Sequence, residues 1–319
     1  MTKKKKSNIP AVDYRLIRLI FSMGDRRRDK GLTTPKDIVR YDNIPYGEDP
    51  VYQLLDVYRP KCGEKSRAAG GEAEQGLLPV IINVHGGSWV YGDKEGYQYY
   101  CMHLAQQGFA VVNFSYRLAP RHRYPAALWD VQRVFAWTAE HAGQYGLDLE
   151  NLFLTGDSAG AQLASQYLTA LTNAAYWKQL GFPGLKQPLR VRAAGFNCGV
   201  FDISRHCKEG RIPLLEAYLG KGWERHSHRL EVLSHISTAF PPTFITTAKG
   251  DFLKEDSIAF YEYLKSRGIP CQYKMYGQPG SRGTGHVFHL NLRLAESRKH
   301  CEEQCGYFRG MIRGVTIPG

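Results

Sequence analysis

Between residues 79 and 172, short apolar runs alternate with helix-patterned stretches, and few architectures accept that order. PVIINVHGG (79–87), FAVVNFSY (109–116) and NLFLT (151–155) read as strands. Residues 95–107, YPAALWDVQRVFAWTAEHA (124–142) and 159–172 read as helices, with Leu128, Val131 and Phe135 on one face of the middle one. The strand runs are apolar nearly throughout instead of alternating, the pattern of strands covered on both faces. RVRAAGFNCGVF (190–201), PPTFITTAKG (241–250) and CQYKMYG (271–277) continue as strands, and a long helix is expected over 288–312. Upstream, residues 38–61 alternate apolar and polar around a Gly-Glu-Asp-Pro turn, a hairpin signature, and residues 62–78 read as a loop. The order predicts an α/β fold with a mostly parallel central sheet and helices on both faces. In such sheets chemistry sits beyond the carboxyl ends of the strands.

One strand ends in LFLTGDSAGAQLA (152–164), where a single hydroxyl stands between two glycines. Gly156-Asp157-Ser158-Ala159-Gly160 matches G-x-S-x-G, the nucleophile elbow. There a strained strand-to-helix turn projects the serine Oγ, and glycines two before and two after leave room for it. A serine hydroxyl needs a base and an oxyanion hole. The strand before carries NVHGGSW (83–89), whose His85-Gly86-Gly87 is similar to an oxyanion loop with Ser88 in place of a third glycine. Gly86, Gly87 and Ser88 are the candidate loop, and the N–H groups of Gly87, Ser88 and Ala159 are the expected donors. With an elbow serine the acid and histidine follow in chain order. Asp251 ends the strand 241–250, and His286 lies 35 residues beyond it in a Gly/Ser-rich loop. Asp202 and His289 compete for the two roles, and chain position favours Asp251 and His286.

These stretches resemble the hormone-sensitive-lipase-like esterases of the α/β-hydrolase fold. HGGSW (85–89), SYRLAPRHRYPAALWDV (115–131), GDSAGAQLA (156–164), GDFLKED (250–256) and HVF (286–288) carry the likeness over most of residues 79–290. HGGSWVYGDK is also similar to acetylxylan and feruloyl esterases and to arylformamidases. The resemblance implies a serine carboxylesterase and a small helical lid. The lid falls at about 203–238, with the N-terminal segment 1–37 completing it and 38–319 as the catalytic domain. Arg121 departs from the family, which usually has an acidic residue there. Trp89 and Tyr91 after the loop, with Asp157 beside the nucleophile, are the candidate substrate-binding residues. Aromatic walls of this kind suit short-acyl, acetyl-like esters of soluble substrates. An amidase or arylformamidase on the same triad is the alternative, and a non-catalytic ligand-binding member of the fold a further one.

Composition constrains partners. The formal charge is +12, with basic clusters at Lys3–Lys6 and Arg26–Arg28 and the other basic residues spread widely, yet no nucleic-acid module signature accompanies it, so no nucleic-acid partner is expected. An anionic surface binder built on this basic segment is the remaining binding-protein reading. No apolar run approaches the ~18 residues of a membrane span. The N-terminal apolar stretch is interrupted by Arg15 and Arg18, a short amphipathic helix and not a signal peptide. Seven scattered cysteines suit a reduced, cytoplasmic chain. Cys301 and Cys305 lack a second ligand pair, so no metal and no cofactor are expected. The Asn113 sequon lies in an apolar strand and is not a glycosylation candidate. The sequence leaves the oligomeric state open, a homodimer included.

Overall fold

The computed structural model describes residues 14–61, 76–209, 214–278 and 283–313. Most of the 62–78 loop expectation therefore lies outside the described residues, as do Lys3–Lys6. Among the described residues, eight strands form one sheet: β1 (Ile38–Pro45), β2 (Leu54–Pro60), β3 (Leu78–Val84), β4 (Ala110–Phe114), β5 (Leu147–Asp157), β6 (Val191–Asn197), β7 (Thr243–Ala248) and β8 (Cys271–Tyr276). The spatial order is β1-β2-β4-β3-β5-β6-β7-β8. β1 pairs antiparallel with β2, and β2 antiparallel with β4, which is the expected hairpin at one edge. Every pairing from β4 through β8 is parallel.

The apolar runs explain this placement. Leu152, Phe153 and Leu154 on β5 are fully buried, as are Val80, Ile81 and Ile82 on β3. Complete burial of each such side chain contributes about 1.5–3 kcal/mol. Helix α2 (Lys94–Gln106) covers one face; α3 (Ala126–Tyr145) and α4 (Ala159–Leu171) cover the other. Leu128, Val131 and Phe135 are the buried stripe of α3. Asn113 is fully buried in β4, where no glycan could be attached.

Two helices fall outside the predicted alternation: α5 (Ala174–Leu180) and, later in the chain, a helix over Lys254–Ser266. Residues 203–238 hold short helices α6 (Ile203–Glu209), α7 (Leu215–Leu219), α8 (Ser227–Leu230) and α9 (Val232–His235). They are fastened to α4 and α5 by side chain–backbone bonds. Gln166 and Tyr176 both donate to the Arg229 carbonyl (2.8 and 2.6 Å), and Asn173 to that of His235 (2.9 Å). The Lys254–Ser266 helix, α10, carries Asp256, which meets Arg205 and His206 of α6 at 2.9 and 2.5 Å. The helix expected over 288–312 is divided. A 3-10 turn spans Phe288–Leu290, and α11 runs only over Ala295–Arg309. Asn291 interrupts the two by accepting from Arg293 N through its side chain (3.3 Å), a local bond that competes with helix continuation.

The N-terminal helix α1 (Tyr14–Asp29) buries none of its residues fully. It is held by its polar side chains: Arg18 donates to the carbonyls of Val90 (2.6 Å) and Ala119 (2.9 Å), and Arg28 to that of Gly96 (2.6 Å). No described helix is long and apolar enough to cross a membrane.

Candidate active site

β5 lies at the centre of the sheet, between β3 and β6, so the residue after its last position projects over the middle of the carboxyl edge. That residue is Ser158, at φ 50° and ψ −119°, followed at once by α4. The flanking glycines are required by contact. A Cβ on Gly160 would lie 2.1 Å from the Val84 carbonyl oxygen, and one on Gly156 would lie 2.8 Å from that of Gly160. The elbow is therefore packed against the end of β3, the strand that leads into the oxyanion loop.

His286 reaches the same point from the loop after β8. Its Nε2 is 3.0 Å from Ser158 Oγ and its Nδ1 is 2.8 Å from Asp251 Oδ1. The Asp251 carboxylate is buried and fully occupied. Leu253 N–H donates to Oδ1 (2.9 Å) and the Thr247 hydroxyl to Oδ2 (2.7 Å). Burial alone would push this carboxyl up, but His286, the Leu253 amide and Thr247 outweigh it and hold Asp251 below the usual carboxylate range. The chain thus brings together the three residues that the spacing suggested, and it separates their competitors. Asp202 caps α6 by accepting from Arg205 N (2.9 Å). His289 is fully buried, edge-on to Tyr100 at 5.0 Å, with its basicity suppressed by desolvation.

Of the candidate oxyanion-loop residues, Gly86 is the one whose N–H is not among the expected donors. The Gly86 N–H is already taken: it donates to the Tyr97 hydroxyl (2.8 Å), which in turn donates to Asp157 Oδ2 (2.8 Å). Gly86 is a structural anchor of the loop and leaves Gly87, Ser88 and Ala159 as the candidate donors. Among the described residues no acceptor takes the N–H of any of those three. Gly87 sits at φ 110°, and a Cβ there would lie 2.1 Å from the Tyr91 carbonyl oxygen. Ser88 and Trp89 follow at φ 52° and 61°, two consecutive left-handed residues that turn the loop back towards the nucleophile. His85 braces the loop from behind, stacked on Tyr116 at 3.9 Å, and burial lowers its pKa to about 4, so it stays neutral.

Two of the three candidate substrate-binding side chains are closed off from open space, and Tyr91 instead lines a cleft beside α1. Trp89 is 1% exposed, stacked on Tyr218 of α7 at 4.8 Å, with its indole N–H on Gln162 Oε1 (3.0 Å). A large ring next to a tight turn is a packing residue here and closes the space between that turn and α7. Tyr91 is half-buried and donates to Asp25 of α1 (2.7 Å). Asp157 is 1% exposed and accepts from the Tyr97 hydroxyl. The residues that sequence reasoning passed over are Thr247 and the Tyr97–Gly86 link. A threonine in a strand and a tyrosine among several carry no distinguishing signal. A cleft of about 790 Å³ beside α3, lined in part by Arg117, Arg121 and His122, includes none of Ser158, Asp251 and His286.

Asp157 yields a stability prediction. Burial raises its pKa from 3.8 to about 7, against the opposing hydrogen bond from Tyr97 and the charge of His286. The unfolded carboxyl ionises near 3.8 while the folded one keeps its proton until about 7. The native state therefore binds the extra proton in that window, and its stability falls as pH rises through it. Asp157→Asn keeps an acceptor for Tyr97 and has no proton to lose. Thermal unfolding at pH 5 and pH 8 should show the variant gaining on wild type at the higher pH. An unchanged difference between the two would remove Asp157 as the titrating group.

The architecture has many known counterparts. The family model described as alpha/beta hydrolase fold matches residues 81–290. A probable carboxylic ester hydrolase, LipM, of Mycobacterium tuberculosis is 33% identical over 227 residues, covering 68% of this chain and 49% of its own. This chain thus spans about half the length of that relative. An acetyl esterase of Salmonella schwarzengrund is 29% identical over 220 residues, 66% of this chain and 65% of its own. Esterase B of Lactobacillus rhamnosis, solved with a tributyrin phosphonate inhibitor, superposes with a TM-score of 0.81 at 22% identity, over 93% of this chain and 94% of that one. The central serine turn, the parallel sheet beneath it and the matched span of sequence lead to one family: the chain belongs to the hormone-sensitive-lipase-like group of the alpha/beta hydrolase fold.

Proposed function

We propose that the chain is a serine carboxylesterase for small soluble esters with short acyl groups, working through Ser158, His286 and Asp251. The carrying observation is the continuous link from Ser158 Oγ through both nitrogens of His286 to Asp251, at 3.0 and 2.8 Å. In this reading Ser158 Oγ attacks the ester carbonyl as His286 Nε2 takes its proton. Asp251 holds the imidazole with Nδ1 protonated and stabilises its charge, while Gly87, Ser88 and Ala159 N–H groups stabilise the oxyanion. His286 then protonates the leaving alcohol, and water repeats the sequence on the acyl-enzyme. The relatives with ester-hydrolase names support an ester substrate over an amide.

Two features support a short acyl group. The Trp89–Tyr218 stack fills the space beside the oxyanion loop, and the Salmonella relative is named an acetyl esterase. We read residues 203–238 and α1 as the lid, since Arg18 of α1 is tied directly to the carbonyl of Val90, just past the oxyanion loop. The test is a series of p-nitrophenyl esters from acetyl to dodecanoyl. The specificity constant kcat/KM should fall at least roughly tenfold from butyryl to dodecanoyl, because each methylene without a pocket forfeits binding. No jump should appear above the micelle concentration. Rates that climb with chain length would make the substrate a lipid and the Trp89 argument wrong.

A further inference from the structure

Behind the proposed triad lies a residue that the esterase mechanism does not use. Cys198 follows the last residue of β6, at φ 50°, with its N–H on the Thr246 carbonyl (2.8 Å). That turn aims the thiol under the loop bearing Asp251. One ligand atom each from Cys198, Asp251 and His286 all lie within 4.8 Å of one another. Cys198 and Asp251 are buried, while the His286 side chain is 22% exposed.

We propose that Cys198, Asp251 and His286 form an inhibitory site for a borderline-soft divalent cation, Zn²⁺ above all, so that the metal and the reaction compete for one histidine. The proposal rests on the triad reading for its effect on turnover but not for binding. The donor set of thiolate, carboxylate and imidazole is the set zinc takes, whereas Mg²⁺ and Ca²⁺ demand oxygen ligands. Zn–S and Zn–N bonds of about 2.3 and 2.0 Å set ligand atoms about 3.5 Å apart in a tetrahedron, so the widest separation, at most 4.8 Å, closes by roughly 1 Å on binding while the 2.8 Å His286–Asp251 pair opens slightly. Entry is past His286, the exposed member.

The proton balance gives the inhibition its cause. Zinc binds three groups: the ionised Asp251 carboxylate, the Cys198 sulfur after its thiol proton leaves to solvent, and His286 at Nδ1. The proton from Nδ1 moves to Nε2, the other nitrogen of the neutral ring. Nε2–H is then a donor and cannot take the proton of Ser158. One proton is released overall, so affinity rises with pH, up to about tenfold per unit while the thiol is protonated in the free protein. Burial raises the Cys198 thiol above its ordinary range, so the thiol is protonated throughout the neutral region and the pH dependence of binding extends across it.

The experiment uses the full chain in metal-buffered solution. Hydrolysis of p-nitrophenyl acetate by wild type should be inhibited by micromolar free Zn²⁺ and restored by EDTA. Cys198→Ala, normalised to its own metal-free rate, should need about tenfold more Zn²⁺ or higher, as expected on loss of a ligand. Co²⁺ reports binding without any turnover. Wild type should show a near-ultraviolet thiolate-to-cobalt band that is absent from the difference spectrum of the variant, and Cys198→Ser serves where Cys198→Ala does not fold. Equal zinc sensitivity of wild type and variant, or a cobalt band that survives the loss of Cys198, overturns the site. A chain with the Cys198-dependent cobalt band but no esterase activity would keep the metal site and discard the enzyme reading.

Discussion

Ser158→Ala is expected to lower kcat/KM for p-nitrophenyl acetate by roughly 10³-fold or more while leaving the fold in place. The hydroxyl is the only nucleophile the mechanism uses. What survives is the contribution of the oxyanion donors and substrate binding, which act on water-driven hydrolysis as well. The fold should tolerate the change because the elbow is held by other groups. Ser158 N–H donates to the Asn197 carbonyl (3.0 Å), and its own carbonyl accepts from Gln162 N (3.2 Å). The Oγ is bonded to His286, and loss of one such partly buried bond costs about 1 kcal/mol. A melting temperature close to wild type with activity removed is therefore the expected pair of results. A fluorophosphonate probe should add once to wild type, on the peptide containing Ser158, and not at all to the variant. Turnover that persists near the wild-type rate would end the serine-hydrolase reading.

The site was more legible in the sequence than its surroundings, for a physical reason. An elbow needs two glycines at fixed offsets because backbone from a neighbouring strand occupies the place of their Cβ atoms, as the 2.1 Å approach at Gly160 illustrates. Such a constraint is local and writes itself into a pentapeptide. The strand–helix order was legible for a similar reason, since strands buried on both faces need an apolar run, as Val80–Ile82 on β3 and Leu152–Leu154 on β5 supply. What escaped depends on distant partners. Gly86 looks like any oxyanion glycine until the Tyr97 hydroxyl, on a different element, claims its N–H. Trp89 next to the loop suggests a substrate wall, but Tyr218, 129 positions later, covers it. The break before α11 turns on one Asn291 side-chain bond within an otherwise helical composition. The short helices α6 to α9 are a few residues each and take their form from carbonyls such as Arg229 O, bonded to α4 and α5.

Asp251→Asn and Asp251→Ala are expected to differ, and the difference reads the hydrogen-bond geometry around the carboxylate. Two fixed demands meet at Oδ1, the His286 Nδ1–H and the backbone N–H of Leu253. A backbone donor cannot turn into an acceptor. The Thr247 hydroxyl at Oδ2 can, by rotating its hydrogen. An asparagine should therefore keep its amide oxygen on the Oδ1 side and present its NH₂ to Thr247. His286 would retain its proton on Nδ1, with Nε2 free to accept from Ser158, and only the negative charge opposite the imidazolium would be lost. That loss is expected to cost roughly 10²–10³-fold in kcat, whereas alanine, which removes orientation and charge together, should cost ~10⁴-fold. Combining either change with Ser158→Ala should add little, because the three residues act as one unit. If asparagine proves as damaging as alanine, the amide has flipped and imposed the wrong histidine tautomer. Asp202→Asn is the parallel control, expected to leave kcat within about twofold of wild type, as surface substitutions away from a site usually do. Should that control lose activity while both Asp251 variants keep theirs, the acid of the triad is Asp202.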